Sequence, residues 1–246
     1  MKAIILAAGM GTRLGEYTRD LPKCMLNFNG KTLLQRQIDV LRNVGINDIV
    51  VVRGYMAEKI TIPGVKYYLS TEYYKSNMVE TLFCAEEELS GNVLVCYGDI
   101  IYEESVLRKV LRSVADVGVV VDEDYWDYWC ARLDTPSCDT ESLVVKDEKI
   151  VDLGNPNCPL SDASCRYVGM IRFSQKGIDQ LKKAYHKNRD LYYHSDSPWK
   201  RSKSFRKAYM TCMLQELIDE GYDVNPIVIR RGWLEFDNVD DYERYH

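Results

Sequence analysis

Residues 3–14 read AIILAAGMGTRL, and a Pro-Lys pair follows at positions 22 and 23. The apolar run predicts a buried strand over 2–8, and the small residues after it predict a tight turn. Gly9 and Gly11 let the backbone N–H groups of this turn come close to an anion, because no Cβ stands in the way. Arg13 and Lys23 add fixed positive charge beside the turn. The stretch therefore predicts a strand that ends in a polyphosphate-binding loop.

Two common glycine-loop motifs do not match this stretch. The chain lacks the Walker A pattern G-x-x-x-x-G-K-[ST], and the dinucleotide fingerprint G-x-G-x-x-G fails because Leu14 stands at its third glycine. A glycine turn used only for steric reasons is an alternative. The pattern A-A-G-x-G-x-R-L followed by P-K resembles the signature of the sugar-nucleotidyltransferase-like (NTP transferase) family. The resemblance implies an enzyme that moves a nucleoside monophosphate from an NTP to a phosphorylated acceptor and releases pyrophosphate.

The first half of the chain alternates between predicted strands and helices. Buried strands and amphipathic helices are predicted in the order 2–8, 32–44, 48–52, 79–89 and 93–97. This order predicts an α/β fold, a Rossmann-like and mostly parallel sheet flanked by helices, and the resemblance implies its nucleotidyltransferase (GT-A-like) form. We predict one domain over 1–246, with a nucleotide-binding half at about 1–121 and an acceptor-binding half at about 122–246.

Composition excludes several classes of function. The 246 residues are 46% hydrophobic and 28% charged with a formal net charge of −5, which argues against a nucleic-acid-binding protein. No apolar run reaches the ~18 residues of a membrane span, and the N-terminus lacks a signal-peptide layout, so we expect a cytoplasmic protein without membrane insertion. The 8 cysteines and 3 histidines show no zinc-ligand spacing.

Two acidic residues are predicted to hold a metal ion. Asp99 follows the buried strand over 93–97, at the strand end where ligands of parallel sheets bind. A carboxylate there suits Mg²⁺, which prefers oxygen ligands, although a helix N-cap is the alternative. The late stretch WLEFD, residues 233–237, resembles the family's W-x-E-[IF]-D element. The resemblance implies that Asp237 shares Mg²⁺ with Asp99, and Glu235 lies on the same strand face.

The segment 74–85, YKSNMVETLFCA, resembles the CTP-dependent branch of the family, which includes phosphocholine, phosphoglutamine and phosphonate cytidylyltransferases. The resemblance implies that Asn77 and Thr81 lie near the nucleotide, with a simple helix N-cap as the alternative for Asn77. UTP or dTTP is the alternative nucleotide. The predicted nucleotide-binding residues are Leu6, Ala7, Ala8, Gly9, Met10, Gly11, Thr12, Arg13, Lys23, Asn77, Thr81 and Gly98.

Aromatic and acidic residues at 122–129, followed by Arg132, suggest an acceptor site. Aromatic faces beside acids suit an ammonium group, so we predict acceptor contacts from Trp126 and Trp129. Arg132 is predicted to hold the acceptor phosphate. The alternative is a hydrophobic plug under the sheet. The polar segment 188–204 predicts an irregular, mobile connection, and its basic residues either form a solvated loop or close over phosphates as a lid.

These observations lead to one expectation with two alternatives. We expect an Mg²⁺-dependent cytidylyltransferase that joins CMP to a small phosphorylated or phosphonylated acceptor, with Lys23, Arg13 and Asp99 as catalytic residues. Activated groups of this kind commonly feed cell-surface glycans in the family. The alternatives are a sugar-1-phosphate uridylyl- or thymidylyltransferase and a catalytically idle regulatory subunit. The acceptor's identity and the oligomeric state do not follow from the sequence.

Overall fold

A seven-stranded sheet forms the centre of the computed structural model, which describes residues 1–133, 135 and 139–245. The strand order is β12-β8-β11-β6-β1-β4-β5, and every pair is parallel except those made by β11. This confirms the predicted mostly parallel α/β fold. The strands are β1 (Lys2–Ala7), β2 (Asn27–Phe28), β3 (Lys31–Thr32), β4 (Asp48–Arg53), β5 (Lys66–Leu69), β6 (Val93–Tyr97), β7 (Ile100–Tyr102), β8 (Val117–Asp122), β9 (Leu143–Lys146), β10 (Lys149–Leu153), β11 (Arg166–Phe173), β12 (Val224–Ile229) and β13 (Trp233–Glu235).

Helices cover both faces of the sheet. They are α1 (Leu33–Asn43), α2 (Met78–Phe83), α3 (Glu104–Arg112), α4 (Trp126–Arg132), α5 (Gln175–Tyr192), α6 (Met210–Asp219) and α7 (Val239–Tyr245). Side chains alternate along β1, so that Ile4 and Leu6 pack towards α2, α5 and α6, whereas Ala3 and Ile5 pack towards α1, α3 and α4. Both faces of the strand are therefore buried, which explains its uninterrupted apolar sequence. Among the described residues, none of the helices has the length and apolarity that crossing a membrane requires.

Helix boundaries follow local signals in one case and tertiary contacts in another. Thr32 caps α1 by accepting a hydrogen bond from the Gln35 amide at 3.1 Å, close to the predicted start. The predicted helix over 79–89 is instead split into α2 and a 3-10 turn at Glu86–Glu88. Glu88 is buried there and pairs with Lys2 and Lys66. These long-range ion pairs stabilise a turn that local spacing does not reveal.

The segment after residue 188 is better anchored than its composition suggests. Asn188 lies inside α5, is 4% exposed and accepts a hydrogen bond from Trp199 Nε1 at 3.1 Å. Three of the basic residues that follow pair with acidic partners: Lys200 with Asp219 at 2.6 Å, Arg201 with Asp152 at 2.5 Å and Arg206 with Glu72 at 2.7 Å. The expectation of an irregular segment over 188–204 is therefore corrected for 188–192, which complete α5, whereas 193–204 form turns without a helix or strand, as predicted.

The topology brings the two ends of the chain together at one edge of the sheet. β1 and β6 are parallel neighbours, so the glycine loop and Asp99 follow adjacent strand ends. A small antiparallel pair, β7 with β13, then places Glu235 opposite Ile100. The Phe236 amide also donates to the Asp99 carbonyl at 3.0 Å. Residues that are far apart in sequence therefore surround a single cleft.

Candidate active site

Three carboxylates meet at the edge of the cleft. Asp99, Glu235 and Asp237 each offer an oxygen, and these oxygens lie within 4.8 Å of one another. The Oδ1 atom of Asp99 is buried and has no hydrogen-bond partner among the described residues. A buried carboxylate oxygen without a partner is costly unless a cation satisfies it. An all-oxygen set of this kind fits a hard divalent cation such as Mg²⁺.

Lys23 connects two of these carboxylates. Its Nζ lies 2.7 Å from Asp99 Oδ2 and 2.9 Å from Asp237 Oδ1, and its side chain is 13% exposed. Arg13 approaches Asp237 from the solvent side, with contacts of 2.5 and 2.7 Å from its two terminal nitrogens. Gly11 makes room for this arrangement, because its φ is +63° and a Cβ there would lie 2.9 Å from Lys23 Cβ. Two cations and two of the acids therefore form one network.

The network keeps its members charged. Burial acts to lower the pKa of Lys23, but the charges of Asp99 and Asp237 outweigh it and raise that pKa. Burial acts to raise the pKa of Asp237, but Lys23 and Arg13 outweigh it and lower that pKa. For Glu235, burial prevails over the opposing charge of Arg132, and its pKa is raised. The geometry thus stabilises a lysine cation beside an aspartate anion.

The first of two adjoining pockets contains most of the predicted nucleotide-binding residues. It is lined by Leu6, Ala7, Ala8, Gly9, Lys23, Cys24, Tyr73, Ser76, Asn77, Met78, Thr81, Tyr97, Gly98 and Asp99. Asn77 also caps α2, since its Oδ1 accepts a hydrogen bond from the Met78 amide at 2.9 Å. The two roles predicted for Asn77, a helix N-cap and a position near the nucleotide, are therefore compatible. Met10 and Thr12 line a separate shallow depression, and Arg13 reaches the second pocket.

The second pocket is rich in charged and aromatic groups. It is lined by Arg13, Met78, Tyr97, Asp139, Glu141, Ser142, Leu143, Gly154, Arg166, Tyr167, Val168, Gly169, Tyr209, Thr211, Glu235 and Asp237. Met78 and Tyr97 line both pockets. Glu141 makes no hydrogen bond or ion pair with another described residue, and burial raises its pKa. The pocket therefore contains a carboxyl group without a hydrogen bond or ion pair to a described residue, in the same lining as the candidate metal ligands Glu235 and Asp237.

A local irregularity in β11 shapes the boundary between the pockets. The strand's register with β8 shifts between Tyr167 and Ile171. Gly169, within this shift, has a φ of +83°, and a Cβ there would lie 2.8 Å from the Tyr97 ring. Bulges of this kind commonly occur beside active sites, where they redirect side chains. Here the bulge lets the Tyr97 ring stand between the two pockets.

The residues predicted to bind the acceptor lie elsewhere. Trp126 is 41% exposed but is not among the residues of either pocket. Trp129 is 0% exposed, and its Nε1 donates to the Asp139 carbonyl at 3.1 Å. The Arg132 side chain is 1% exposed and pairs with Glu235 and Asp241. The expected positions of Trp129 and Arg132 are therefore corrected, because α4 turns both side chains into the core. The position of Trp126 is corrected for a different reason, since it lies on the exposed side of α4 and outside both pockets.

Sequence reasoning missed the acidic and aromatic lining of the second pocket. Glu141 and Arg166 carry no local motif, and only the folded chain brings them together. Tyr209 and Thr211 come from the start of α6, and their place in this pocket follows from the fold. Tyr97 had a positional signal, since it ends β6 just before Gly98 and Asp99.

Comparisons with known proteins identify the family. Residues 3–189 match the family model described as the MobA-like NTP transferase domain. The chain is 31% identical over 255 aligned positions to the CTP:phosphoglutamine cytidylyltransferase of Campylobacter jejuni, covering 99% of this chain and 98% of that protein. It is 34% identical over 117 positions to the choline-phosphate cytidylyltransferase of Streptococcus pneumoniae, covering 46% of this chain and 51% of that protein.

A solved structure agrees with this assignment at the level of the fold. The CTP:phosphocholine cytidylyltransferase structure from Streptococcus pneumoniae superimposes with a TM-score of 0.70 at 24% identity, covering 99% of this chain and 96% of that one. The family model and the full-length relative confirm the resemblance identified from residues 3–23 and 233–237. The chain belongs to the MobA-like NTP transferase family and is a nucleotidyltransferase.

Proposed function

We propose that this protein is an Mg²⁺-dependent cytidylyltransferase that transfers CMP from CTP to a small phosphorylated or phosphonylated acceptor. The observation that carries the proposal is the convergence of Lys23 with Asp99 and Asp237, because Lys23 and Asp99 line the first pocket and Asp237 lines the second. The full-length similarity to a phosphoglutamine cytidylyltransferase supports the choice of CTP and of an acceptor that bears a phosphoryl group.

The reaction follows from the charges at the site. An oxygen of the acceptor's phosphate or phosphonate attacks the α-phosphorus of CTP, a new P–O bond forms, and the bond to pyrophosphate breaks. The attacking oxygen is already anionic, so no general base is required. The main obstacle is the repulsion between two anions. Mg²⁺, held by Asp99, Asp237 and the nearby Glu235, supplies neutralising charge when bound. Lys23 and Arg13 add fixed cations for the phosphates.

The nucleotide and the acceptor are assigned to the two pockets. The nucleotide occupies the first pocket, where Asn77, Ser76 and Thr81 offer polar contacts beside the glycine loop. The acceptor occupies the second pocket, with Arg166 for its anionic part and Glu141 for an ammonium group. Tyr97 lines both pockets and therefore lies near both ligands. A cytoplasmic role in supplying activated groups for cell-surface glycans belongs to the same proposal and rests on the family resemblance.

A pyrophosphate-release screen tests this proposal. It combines each of the four NTPs with phosphocholine, phosphoethanolamine, 2-aminoethylphosphonate, phosphoglutamine and glucose-1-phosphate, with Mg²⁺ and with EDTA. We expect Mg²⁺-dependent release with CTP and an amine-bearing acceptor, and loss of release in Asp99→Asn. Release only with UTP or dTTP and the hexose phosphate would overturn the assignment. Nucleotide binding without release in any combination would favour a regulatory subunit instead.

A further inference from the structure

Arg132 uses its guanidinium group to join a candidate metal ligand to the protein core. Nη1 donates to Glu235 Oε2 at 2.6 Å, while Nε and Nη2 donate to the two oxygens of Asp241 at 2.5 and 2.8 Å. The side chains of Arg132 and Asp241 are 1% and 0% exposed. A two-pronged contact between arginine and carboxylate fixes direction as well as distance. Arg132 therefore orients Glu235, although the buried Arg132 side chain does not reach the cleft.

Asp241 also fixes the position of Asp237, the second candidate metal ligand near the end of the chain. Its Oδ2 accepts hydrogen bonds from the backbone amides of Asp237 at 2.9 Å and Asn238 at 3.1 Å. Asn238 Oδ1 in turn accepts from the Asp241 amide at 3.0 Å. This reciprocal pattern is a capping box at the start of α7. Asp241 thus fixes the backbone that carries Asp237 while its carboxylate also holds Arg132.

A third contact from α4 fixes the same strand. The Glu235 amide donates to the Tyr128 hydroxyl at 3.0 Å. Tyr128 and Arg132 lie four residues apart on one face of α4, so the helix holds both the backbone and the side chain of Glu235. No hydrogen bond from a described residue reaches Glu235 Oε1. That oxygen therefore remains available to bind a cation together with Asp99 and Asp237.

We propose that the Arg132–Asp241 pair is a positioning device that orients Glu235 and Asp237 for the divalent cation. The inference rests on the metal site of the proposed function and deepens it. Arg132 acts through Glu235 and does not touch either substrate, in contrast to the acceptor contact that its sequence position suggests. Partners of this kind, which orient the residues that bind a metal, change metal affinity by about 10- to 100-fold when they are lost.

Binding of Mn²⁺ alone, measured by EPR without CTP or acceptor, tests the proposal. We expect Arg132→Met to weaken Mn²⁺ binding at least ~10-fold. Arg231→Met is the matched control: Arg231 also lies over the Tyr128 ring, at 3.9 Å, and pairs with the buried Asp122 at 3.1 Å, but it contacts none of the three acids. Its Mn²⁺ affinity should stay within about twofold of the wild type, with circular dichroism confirming that both variants fold.

Two further variants make the result decisive. Arg132→Lys keeps the buried charge but loses the planar fork, so we expect a folded protein with Mn²⁺ affinity reduced several-fold. In a Glu235→Gln background, Arg132→Met should change Mn²⁺ affinity much less than in the wild type, because its effect passes through Glu235. Unchanged Mn²⁺ affinity in both Arg132 variants would overturn the inference alone. Absence of Mn²⁺ binding in the wild type would overturn the metal site of the proposed function as well.

Discussion

Replacing Lys23 with methionine removes a charge from the centre of the acidic cluster while keeping the length of the side chain. In the structure, Nζ lies 2.7 Å from Asp99 and 2.9 Å from Asp237, the two carboxylates that we assign to Mg²⁺. The lysine is their counter-ion, so a divalent cation has to compete with it. Hydrogen bonds to charged groups contribute about 1.5–3 kcal/mol each, and Lys23 makes two of them.

Lys23→Met should therefore change metal binding and turnover in opposite directions. We expect Mn²⁺ to bind the nucleotide-free variant at least ~10-fold more tightly, which corresponds to about 1.4 kcal/mol. This is less than the two hydrogen bonds together, because Arg13 still pairs with Asp237. We also expect turnover to fall at least ~100-fold, since one cation that neutralises the phosphates is lost.

EPR titration with Mn²⁺ and a pyrophosphate-release assay measure the two effects. Lys31→Met is the control, because Lys31 pairs with Asp39 at 2.6 Å, its side chain is 57% exposed and it lies outside both pockets. That variant should match the wild type in both assays. Equal or weaker Mn²⁺ binding by Lys23→Met would refute the reasoning about competition. Turnover within tenfold of the wild type would refute the catalytic role.

Three other outcomes are expected. Gly11→Ala forces a Cβ against Lys23 at a φ of +63°, so urea melts should show a loss of about 1–2 kcal/mol in unfolding free energy. Gly9→Ala is the control, because a Cβ at Gly9 meets nothing within 4 Å. Equal stability of the two variants would contradict the argument. Glu141→Gln should raise KM for phosphoethanolamine at least ~10-fold without changing KM for CTP, and steady-state kinetics would exclude the ammonium contact if neither value moved. For Glu88, burial acts to raise the pKa, but the lysine partners outweigh burial and lower the pKa to about 2. This is below the value of about 4.3 in an unfolded chain, so Glu88 stabilises the fold above pH ~4.3 and loses this contribution as the pH falls towards its folded pKa. The free energy of unfolding should therefore depend less on acid pH in Glu88→Gln than in the wild type.

Local sequence patterns predicted the features that depend on neighbouring residues. The strand and turn of 3–14 could be recognised because the apolar run, the glycines and Arg13 are contiguous. Asp99 could be placed because it lies two residues after the end of a buried strand, and strand ends of parallel sheets share one edge. The resemblance to the family then pointed to Asp237, and the structure brings that residue within reach of Lys23.

Features that depend on distant contacts could not be predicted in the same way. The aromatic run at 125–129 has the same letters whether its rings face a ligand or the core. Tyr125, Tyr128 and Trp129 are buried because α4 packs against the core, whereas Trp126 is 41% exposed. Arg132 is engaged by Asp241, which lies 109 residues later. Glu141 enters the second pocket without any local motif. These features depend on side-chain direction and on pairing between distant residues, and the spacing of residues along the chain predicts neither.

A crystal structure of the protein with CTP and Mg²⁺ tests the central claim most directly. We predict the ion bound by oxygens of Asp99 and Asp237, the triphosphate against the glycine loop, and Lys23 moved from the carboxylates to a phosphate. A triphosphate bound outside the first pocket, or an ion that contacts neither carboxylate, would contradict the account.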